Sequence, residues 1–306
     1  MATYIIAGGS GLIGGRLVKK LNTLGHQVKI LSHSKEKLTS KTNTLTSFYF
    51  WDPDKETISD NLFLNADYVI NLAGANVNAK WTKDYKKELL DSRVDTTRLL
   101  VKKLNEENTS IKAFINSSAI GYYGSKSKVV LDENSPAGDG FLAEICVKWE
   151  QEVEKLHAVP YYIVRTGIVL STQGGALKEF NNLMNMNLAA PFGNGEQHVS
   201  WIHIDDLVNL YLFLCNENIS TGIYNAVSEN WTANWNDILR ILAELRGKRM
   251  LLPGIPEFVI KLMFGERSEI VLTDLMIDSA KIKSSGFKYE YPDLKAAIQD
   301  LLNKDI

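Results

Sequence analysis

Cysteine and net charge are both scarce in this sequence. Its 306 residues include two cysteines, Cys146 and Cys215, which lie far apart inside apolar stretches. That spacing fits no metal site and predicts buried free thiols. The 34 Lys and Arg side chains nearly balance 36 Asp and Glu, giving a formal net charge of -2. No basic field therefore attracts nucleic acid or an anionic membrane, and we expect a small-molecule partner, with no metal, nucleic acid or membrane involved.

Long apolar runs and a leader-like start are also missing. The most apolar later stretch, 201–215, is interrupted by His203, Asp205 and Asp206, and it is shorter than the roughly 20 residues that span a bilayer. The N-terminus leaves no room for a charged segment followed by a cleavable apolar one. With 45% hydrophobic and 23% charged residues, the composition predicts a globular, soluble, cytoplasmic protein.

Strand and helix patterns alternate over the first 166 residues. The apolar runs and the helical periodicity predict strands at 3–7, 26–31, 48–51, 67–72, 113–117 and 161–166, and helices at 12–24, 81–105 and 141–157. This alternation predicts an α/β fold, a Rossmann-type doubly wound parallel sheet. Beyond residue 166 the alternation weakens, and helical patterns follow at 176–186, 205–215, 236–246 and 294–302. We expect a dinucleotide-binding domain at 1–228, with substrate-region insertions after about 166, and a small, mostly helical domain at 229–306.

A glycine-rich loop follows the first strand and opens the first helix. It contains Gly8, Ser10, Gly11, Leu12, Ile13 and Gly14, and it fits both G-x-x-G-x-x-G and G-x-G-x-x-G. Such a loop turns unpaired backbone N–H groups and the positive end of a helix dipole toward a phosphate. Gly14 allows the helix to pack against the sheet. We interpret the loop as a dinucleotide site; the alternative is a turn without a ligand.

The end of the second strand decides the choice of cofactor. A carboxylate there would bind the ribose hydroxyls of NAD and repel a 2′-phosphate. The sequence instead has Ser32, His33, Ser34 and Lys35, which suit a phosphate of about -1.5 to -2 charge. We therefore predict NADP(H), with NAD as the second choice. The alternative is an ordinary solvated loop with weak selectivity.

Later stretches resemble the extended short-chain dehydrogenases/reductases. They are 71–74, 116–118, 163–166 and 201–206. The resemblance implies that Leu72, Ala73, Gly74 and Ser117 lie beside the cofactor and that Ser118 is the active-site serine. A narrower similarity, through 8–14, 92–94, 117–124, 149–150, 165–170 and 200–203, is to the atypical "epimerase family" proteins, which are NAD-dependent epimerase/dehydratase-like. The end, 252–287, resembles the small C-terminal domain of unknown function in that family.

The usual catalytic pair of these enzymes, Tyr-x-x-x-Lys on a helix, is absent. Phe141 and Ile145 stand at its expected positions and cannot move a proton. Tyr122 and Lys126 have the right spacing, but Gly124 between them argues against a helix. Tyr122 or Tyr123 acting alone is an alternative, as is the possibility that both only line the pocket.

Other polar side chains are candidates. Glu144, on the same predicted helix as Phe141, is a further candidate proton carrier. Arg93 is a candidate for binding a phosphate or the substrate, or a surface ion pair. His203 precedes two carboxylates, and a structural or substrate-gating role is expected. Two functions remain open, namely an NADP(H)-dependent oxidoreductase or epimerase-like enzyme for a small polar, sugar-like substrate, and a nucleotide-binding regulator without turnover. The sequence specifies neither the substrate nor an oligomeric state.

Overall fold

A large sheet forms the centre of the molecule. The computed structural model describes residues 1–34, 44–107, 110–125, 129–216, 219–229 and 232–304. Within these ranges the strands are β1 (Thr3–Ala7), β2 (Gln27–Ser32), β3 (Thr46–Asp52), β4 (Thr57–Ile58), β5 (Tyr68–Asn71), β6 (Ala113–Ala119), β7 (Val130–Leu131), β8 (Tyr161–Thr166), β9 (Ile168–Leu170), β10 (Trp201–His203), β11 (Gly222–Ala226) and β12 (Met276–Ile277).

Helices cover both faces of this sheet and form the C-terminal region. In the described ranges they are α1 (Leu12–Thr23), α2 (Lys83–Glu106), α3 (Phe141–Val153), α4 (Gly175–Asn185), α5 (Ile204–Asn216), α6 (Trp235–Arg246), α7 (Glu257–Phe264), α8 (Ser268–Leu272), α9 (Ala280–Ser284) and α10 (Leu294–Asn303). No helix of the described residues is both long enough and apolar enough to cross a bilayer.

The strand order of the main sheet is β11-β8-β6-β5-β1-β2-β3-β4. All neighbouring strands are parallel except β3 and β4. Every residue of β1 is buried, as expected when helices cover both faces of a parallel sheet. The predicted doubly wound fold is confirmed. The order reverses between β1 and β5, which is where such sheets open a crevice at the carboxyl ends of their strands.

Helix α3 is shorter than the predicted helix 141–157. It ends at Val153, because the chain must turn back to enter β8. Asn105 at the end of α2 holds this turn, since its side-chain oxygen accepts hydrogen bonds from the backbone N–H groups of His157 and Ala158. Helix α7 was not among the predicted helices; of its eight residues, Ile260 is the buried one.

A second core lies beside the sheet. It joins β9, α4 and β10 to α6 and α10, and its buried members include Phe180, Trp201, Trp235 and Ile298. The Phe180 and Trp235 rings lie 5.4 Å apart. Residues on both sides of position 229 therefore contribute to one core.

Candidate functional site

The glycine loop occupies the crevice where the strand order reverses. Gly8 has φ +77°, and a Cβ on it would lie 2.6 Å from the carbonyl oxygen of Leu72 at the end of β5. A Cβ on Gly14 would lie 2.2 Å from the Gly8 carbonyl oxygen. The Gly11 N–H donates to the same oxygen at 3.0 Å. Side chains at positions 8 and 14 would therefore displace backbone, so the loop can keep its tight turn against β5 and α1 only with glycine.

The start of α1 is free to bind an anion. Its N-cap residue, Gly11, supplies no side-chain hydrogen bond, and the first turn contains no acidic residue. The first N–H groups of the helix and its positive dipole end thus remain available to a phosphate. Ser10 is exposed beside them, while Leu12 and Ile13 are half-buried. These groups and the cradle of Gly8 and Gly14 fit a dinucleotide pyrophosphate.

The end of β2 presents polar side chains next to this loop. Ser32 Oγ accepts a hydrogen bond from the Ser34 N–H at 3.1 Å, and the exposed His33 ring lies 5.5 Å from the Trp51 ring. Lys35 lies outside the described residues. Asp52, the last residue of the neighbouring strand β3, adds a carboxylate that the sequence analysis did not select. It accepts a hydrogen bond from Lys55 at 2.7 Å, which lowers the pKa of its carboxyl group.

Paired asparagines support the loop after β5. Asn71 and Asn116 are register partners on β5 and β6, and Asn71 Nδ2 donates to Asn116 Oδ1 at 2.8 Å and to Thr97 Oγ1 at 2.9 Å. Asn71 Oδ1 accepts from the Ala73 N–H at 3.2 Å. These hydrogen bonds fix the path of residues 72–74 beside the glycine loop. The segments 71–74 and 116–118, each beginning with an asparagine, were the sequence signal for this arrangement.

Arg93 on α2 is not a surface ion pair. Its guanidinium donates to the carbonyl oxygens of Leu89 at 2.8 Å and Ala75 at 3.1 Å, and it lies 5.4 Å from the Trp149 ring. A Cβ on Gly74 would touch it at 3.0 Å. Burial lowers the pKa of Arg93, and no carboxylate of the described residues pairs with it. The crevice therefore has a largely desolvated positive charge at its β5 side.

The two serines at the end of β6 face opposite sides of the sheet. Ser117 Oγ lies 3.0 Å from Tyr211 Oη on α5. Ser118, on the other face, is 3% exposed and donates its hydroxyl to Glu150 Oε1 on α3 at 2.6 Å. Neither hydroxyl is free within this arrangement, because each has a protein partner.

Ser118 belongs to a buried polar network. The Glu150 carboxylate accepts hydrogen bonds from Arg165 Nε at 2.9 Å and from Arg165 Nη2 at 2.7 Å. Arg165 Nη1 donates to Tyr123 Oη at 3.0 Å, and this hydroxyl donates to Asn225 Oδ1 at 2.7 Å. Burial raises the pKa of Tyr123 to about 12. Tyr123 is fully buried, so its phenol connects strands rather than facing the crevice.

Tyr122 is the half-buried member of the tyrosine pair. The guanidinium carbon of Arg165 lies 3.4 Å from the centre of its ring. Tyr122 stands in a 3₁₀ turn that ends at Tyr123, and Gly124 follows with φ +66°. Residues 122–125 are therefore not α-helical, as the glycine predicted, and Lys126 lies outside the described residues.

The helix face next to the end of β6 is apolar. A Cβ on Gly121 would lie 3.3 Å from Leu142 Cβ and 3.9 Å from Cys146 Sγ. These two positions, one turn apart on α3, therefore contact the turn that follows β6. Phe141, at the start of α3, packs on Trp81 with ring centres 5.3 Å apart.

Neither Leu142 nor Cys146 replaces the missing pair. Leu142 cannot carry a proton, and burial raises the pKa of the Cys146 thiol to about 11. Glu144 lies about 200° around the helix from Leu142, is exposed, and pairs with Lys148 at 2.6 Å. The structure thus does not bring Glu144 together with the other predicted residues.

The C-terminal region packs against the starts of α2 and α3. Glu266 pairs with Lys86 at 2.7 Å, and Arg267 donates to the Asn78 carbonyl oxygen at 2.6 Å. Glu269 on α8 places Oε1 2.7 Å from where a Cβ on Gly140 would lie, at the start of α3; burial raises the pKa of this carboxyl group. The sequence reading assigned no site residue to this region.

A histidine and two carboxylates meet at the opposite side of α5. His203, Asp205 and Asp300 offer ligand atoms within 4.8 Å of one another. His203 Nδ1 accepts the Asp205 N–H at 3.0 Å, so the ring proton is on Nε2. Lys304 Nζ lies 2.9 Å from Asp205 and 2.7 Å from Asp300. These ion pairs make the cluster part of a network of charges that joins α10 to α5.

Comparisons with known proteins match this architecture. The model of the NAD dependent epimerase/dehydratase family matches residues 4–226, and that of a domain of unknown function, DUF1731, matches residues 255–301. The chloroplastic epimerase family protein SDR39U1 homolog of Arabidopsis thaliana is 32% identical over 304 residues, covering 98% of this chain and 86% of the relative.

Two solved structures extend the comparison. The crystal structure of human epimerase family protein SDR39U1 (isoform 2) with NADPH is 28% identical with a TM-score of 0.87, covering 98% of this chain and 99% of the human one. The nucleoside-diphosphate sugar epimerase from Corynebacterium glutamicum is 29% identical with a TM-score of 0.77, covering 98% of this chain and 58% of its own. The predicted resemblance is confirmed: the chain belongs to the NAD dependent epimerase/dehydratase family and carries a DUF1731 region at its C-terminal end.

Proposed function

We propose that this chain is an NADP(H)-dependent oxidoreductase or epimerase-like enzyme acting on a small polar, sugar-like substrate. The observation that carries the proposal is the backbone cradle at Gly8 and Gly14, where a Cβ would displace backbone at the switch point of the sheet. Two relatives support it, since the human protein was solved with NADPH and the Corynebacterium protein is a nucleoside-diphosphate sugar epimerase.

The cofactor would be held at three places. The N–H groups of the loop from Gly8 to Gly14 bind the pyrophosphate. Ser32, His33, Ser34 and Lys35 receive the 2′-phosphate, and residues 72–74 with Ser117 border the remainder. A bound nicotinamide supplies or accepts a hydride. NAD is the second choice of cofactor, because Asp52 offers a carboxylate close to the same ribose position.

The candidate catalytic side chains take different parts. Tyr122 is half-buried beside the end of β6, and its phenol orients a substrate oxygen. Ser118 and Tyr123 are positioning residues, since their hydroxyls are engaged with Glu150 and Asn225. Arg93 supplies positive charge for an anionic group of the substrate or cofactor.

One observation favours a second function. The α3 residues next to the end of β6, Leu142 and Cys146, carry neither a phenol nor an ammonium, and this would suit a nucleotide-binding regulator that performs no turnover. The two functions differ in whether a substrate is converted. A panel of carbonyl compounds and nucleotide sugars, followed by nicotinamide absorbance and by sugar analysis, separates them. Turnover supports the enzyme, and NADPH binding without turnover across the panel supports the regulator.

A pair of glycine variants tests the cofactor site. Gly14→Ala places a methyl group 2.2 Å from the Gly8 carbonyl oxygen, whereas Gly15→Ala meets no atom closer than 3.9 Å. We expect Gly14→Ala to lose at least about tenfold in NADPH affinity by fluorescence titration, a loss of about 1.4 kcal/mol. Gly15→Ala should bind normally and gain up to about 1 kcal/mol of stability from helix propensity. Equal affinities in the two variants, or tighter binding of NADH than NADPH by the wild type, would count against the assignment.

A further inference from the structure

The C-terminal region brings a carboxylate to a histidine outside the residues discussed so far. His198 precedes β10, and Asp274 lies between α8 and β12. Asp274 Oδ1 lies 2.8 Å from His198 Nδ1 and accepts the His198 backbone N–H at 3.0 Å. A carboxylate only accepts hydrogen bonds, so Nδ1 carries a proton, and in the neutral ring the lone pair is on Nε2. The two side chains are 31% and 25% exposed, so the free nitrogen is accessible.

The pair stands next to the end of β6. The Asp274 N–H donates to Ser125 Oγ at 3.4 Å, two residues after the turn that holds Tyr122 and Tyr123. Leu275 packs in one apolar cluster with Tyr123, against which Tyr122 also packs. His198 and Asp274 therefore lie at the carboxyl edge of the sheet, on the side where the cofactor crevice opens.

A rigid frame fixes the geometry of the pair. Ser200 Oγ donates to the Leu275 carbonyl oxygen at 2.9 Å and accepts the Ile277 N–H at 3.0 Å. The Leu275 N–H donates to the His198 carbonyl oxygen. The Ser200 carbonyl oxygen in turn accepts the Ile168 N–H at 2.8 Å. Segments 198–200 and 274–277 are thus joined to each other and to β9, as a preorganised site requires.

Two other histidines of the chain are used differently. His26 Nδ1 accepts the Ala2 N–H at 3.1 Å, and His203 Nδ1 accepts the Asp205 N–H. Both rings thereby present a protonated Nε2, and His203 is fully buried. His198 has the opposite tautomer and an accessible Nε2, which is the arrangement of a general base oriented by a carboxylate.

We propose that His198, oriented by Asp274, is the proton carrier of this enzyme and does the work of the missing tyrosine–lysine pair. The inference rests on the proposed function. As a substrate alcohol is oxidised, its O–H bond breaks and the proton forms an N–H bond at His198 Nε2. The C–H electron pair leaves as hydride to the oxidised nicotinamide, and a carbonyl remains with an imidazolium. In the reductive direction the imidazolium returns the proton to the oxygen. Asp274 is a positioning residue that stabilises the imidazolium and fixes the tautomer.

The first test determines the tautomer of His198 by NMR and does not depend on turnover. Long-range proton–nitrogen NMR of isotope-labelled protein, with the His198 signal assigned from His198→Gln, should show Nδ1 protonated in the wild type. In Asp274→Leu the acceptor for Nδ1 is removed, so the tautomer protonated on Nδ1 should no longer predominate. A wild-type ring protonated on Nε2 would overturn the proposal.

The second test reads turnover and NADPH binding together. General acid–base catalysis contributes about 10²–10⁴-fold, so we expect His198→Gln and Asp274→Asn each to lose roughly 100-fold or more in turnover on the best substrate of the panel. NADPH affinity should stay within about twofold of wild type. His157→Gln, an exposed site, is the matched control and should change neither quantity.

The outcomes separate the two proposals. Normal turnover in His198→Gln overturns the role of His198 and leaves the proposed function standing. A wild-type chain that binds NADPH and converts nothing in the panel overturns the enzymatic function, and the role of His198 with it.

Discussion

Glu150 and Arg165 show what a residue-by-residue reading of the sequence could and could not find. The sequence analysis selected Ser118 through the family resemblance and Tyr123 because it follows the serine strand by a few residues. It could not find their partners, which are 32 and 42 residues away along the chain. Hydroxyl groups that look available in a motif are engaged once α3 and β8 pack against β6. The glycine loop, by contrast, was predictable because its steric requirement is local.

The buried ion pair gives a prediction at this scale. Glu150 and Arg165 are 4% and 1% exposed, so Glu150→Gln should leave an uncompensated guanidinium and lower the free energy of unfolding by about 3–5 kcal/mol. Urea denaturation measures this. Glu144→Gln, on the same helix, breaks only the exposed pair with Lys148 and should stay within about 0.5 kcal/mol of wild type. Similar losses in the two variants would contradict the burial argument.

Among the secondary-structure elements, α10 is held against α5 and α1 by ion pairs. Lys304, directly after the end of α10, forms an ion pair with Asp205 of α5. Asp205 also forms an ion pair with Arg16 of α1. Burial opposes the charge on Asp205, but the hydrogen bonds from Arg16 and Lys304 outweigh it and hold the pKa of this carboxyl group well below its usual range. The motif at 201–206 was found in the sequence, and its structural reading of His203 agrees with the full burial of that ring. Its partners on α10 were out of reach because they lie about 100 residues further on.

His203 makes this fastening sensitive to acid. Burial lowers its pKa to about 4 from an ordinary 6.5, so the unfolded chain binds a proton in this interval and the folded chain does not. The free energy of unfolding should therefore fall as the pH drops from about 6.5 to 4, by roughly 3 kcal/mol in total from this residue. Denaturation across that range should show a smaller slope for His203→Asn, which keeps an acceptor for the Asp205 N–H.

The control for this slope is a histidine at the surface. His157 is exposed, and His157→Gln should retain the wild-type dependence. A wild-type slope in His203→Asn would show that other groups produce the acid sensitivity.

For the whole molecule, the sequence predicted the sheet and its helices but not how the C-terminal region joins them. The alternation of strands and helices is a repeating local pattern, and it fixed the fold class. The second core is assembled from residues on both sides of position 229, among them Phe180 and Trp235. Asp206 also accepts the backbone N–H groups of Glu290 and Tyr291 at 2.7 and 3.0 Å. Such contacts depend on the packing of distant segments, and no short-range pattern carries them.

A truncation tests this shared core. Residues 1–228 alone would expose the buried faces of α4 and β10, including Phe180 and Trp201. We expect this fragment to be insoluble or to lack a cooperative urea transition, and we expect residues 229–306, coexpressed as a separate chain, to restore both properties. A fragment 1–228 that unfolds cooperatively with the stability of the full chain would show that the two cores are independent.

The joint between segments 198–200 and 274–277 has an evolutionary consequence. His198 falls within the region matched by the epimerase/dehydratase model, 4–226, and Asp274 within that matched by DUF1731, 255–301. The two halves of the joint are therefore inherited in what are counted as separate modules. A recombinant that exchanges one module for that of a relative would keep the nucleotide loop intact and bring together a histidine and a carboxylate selected in different lineages. We therefore expect the two modules to have descended together, so that evolutionary trees of the two modules agree.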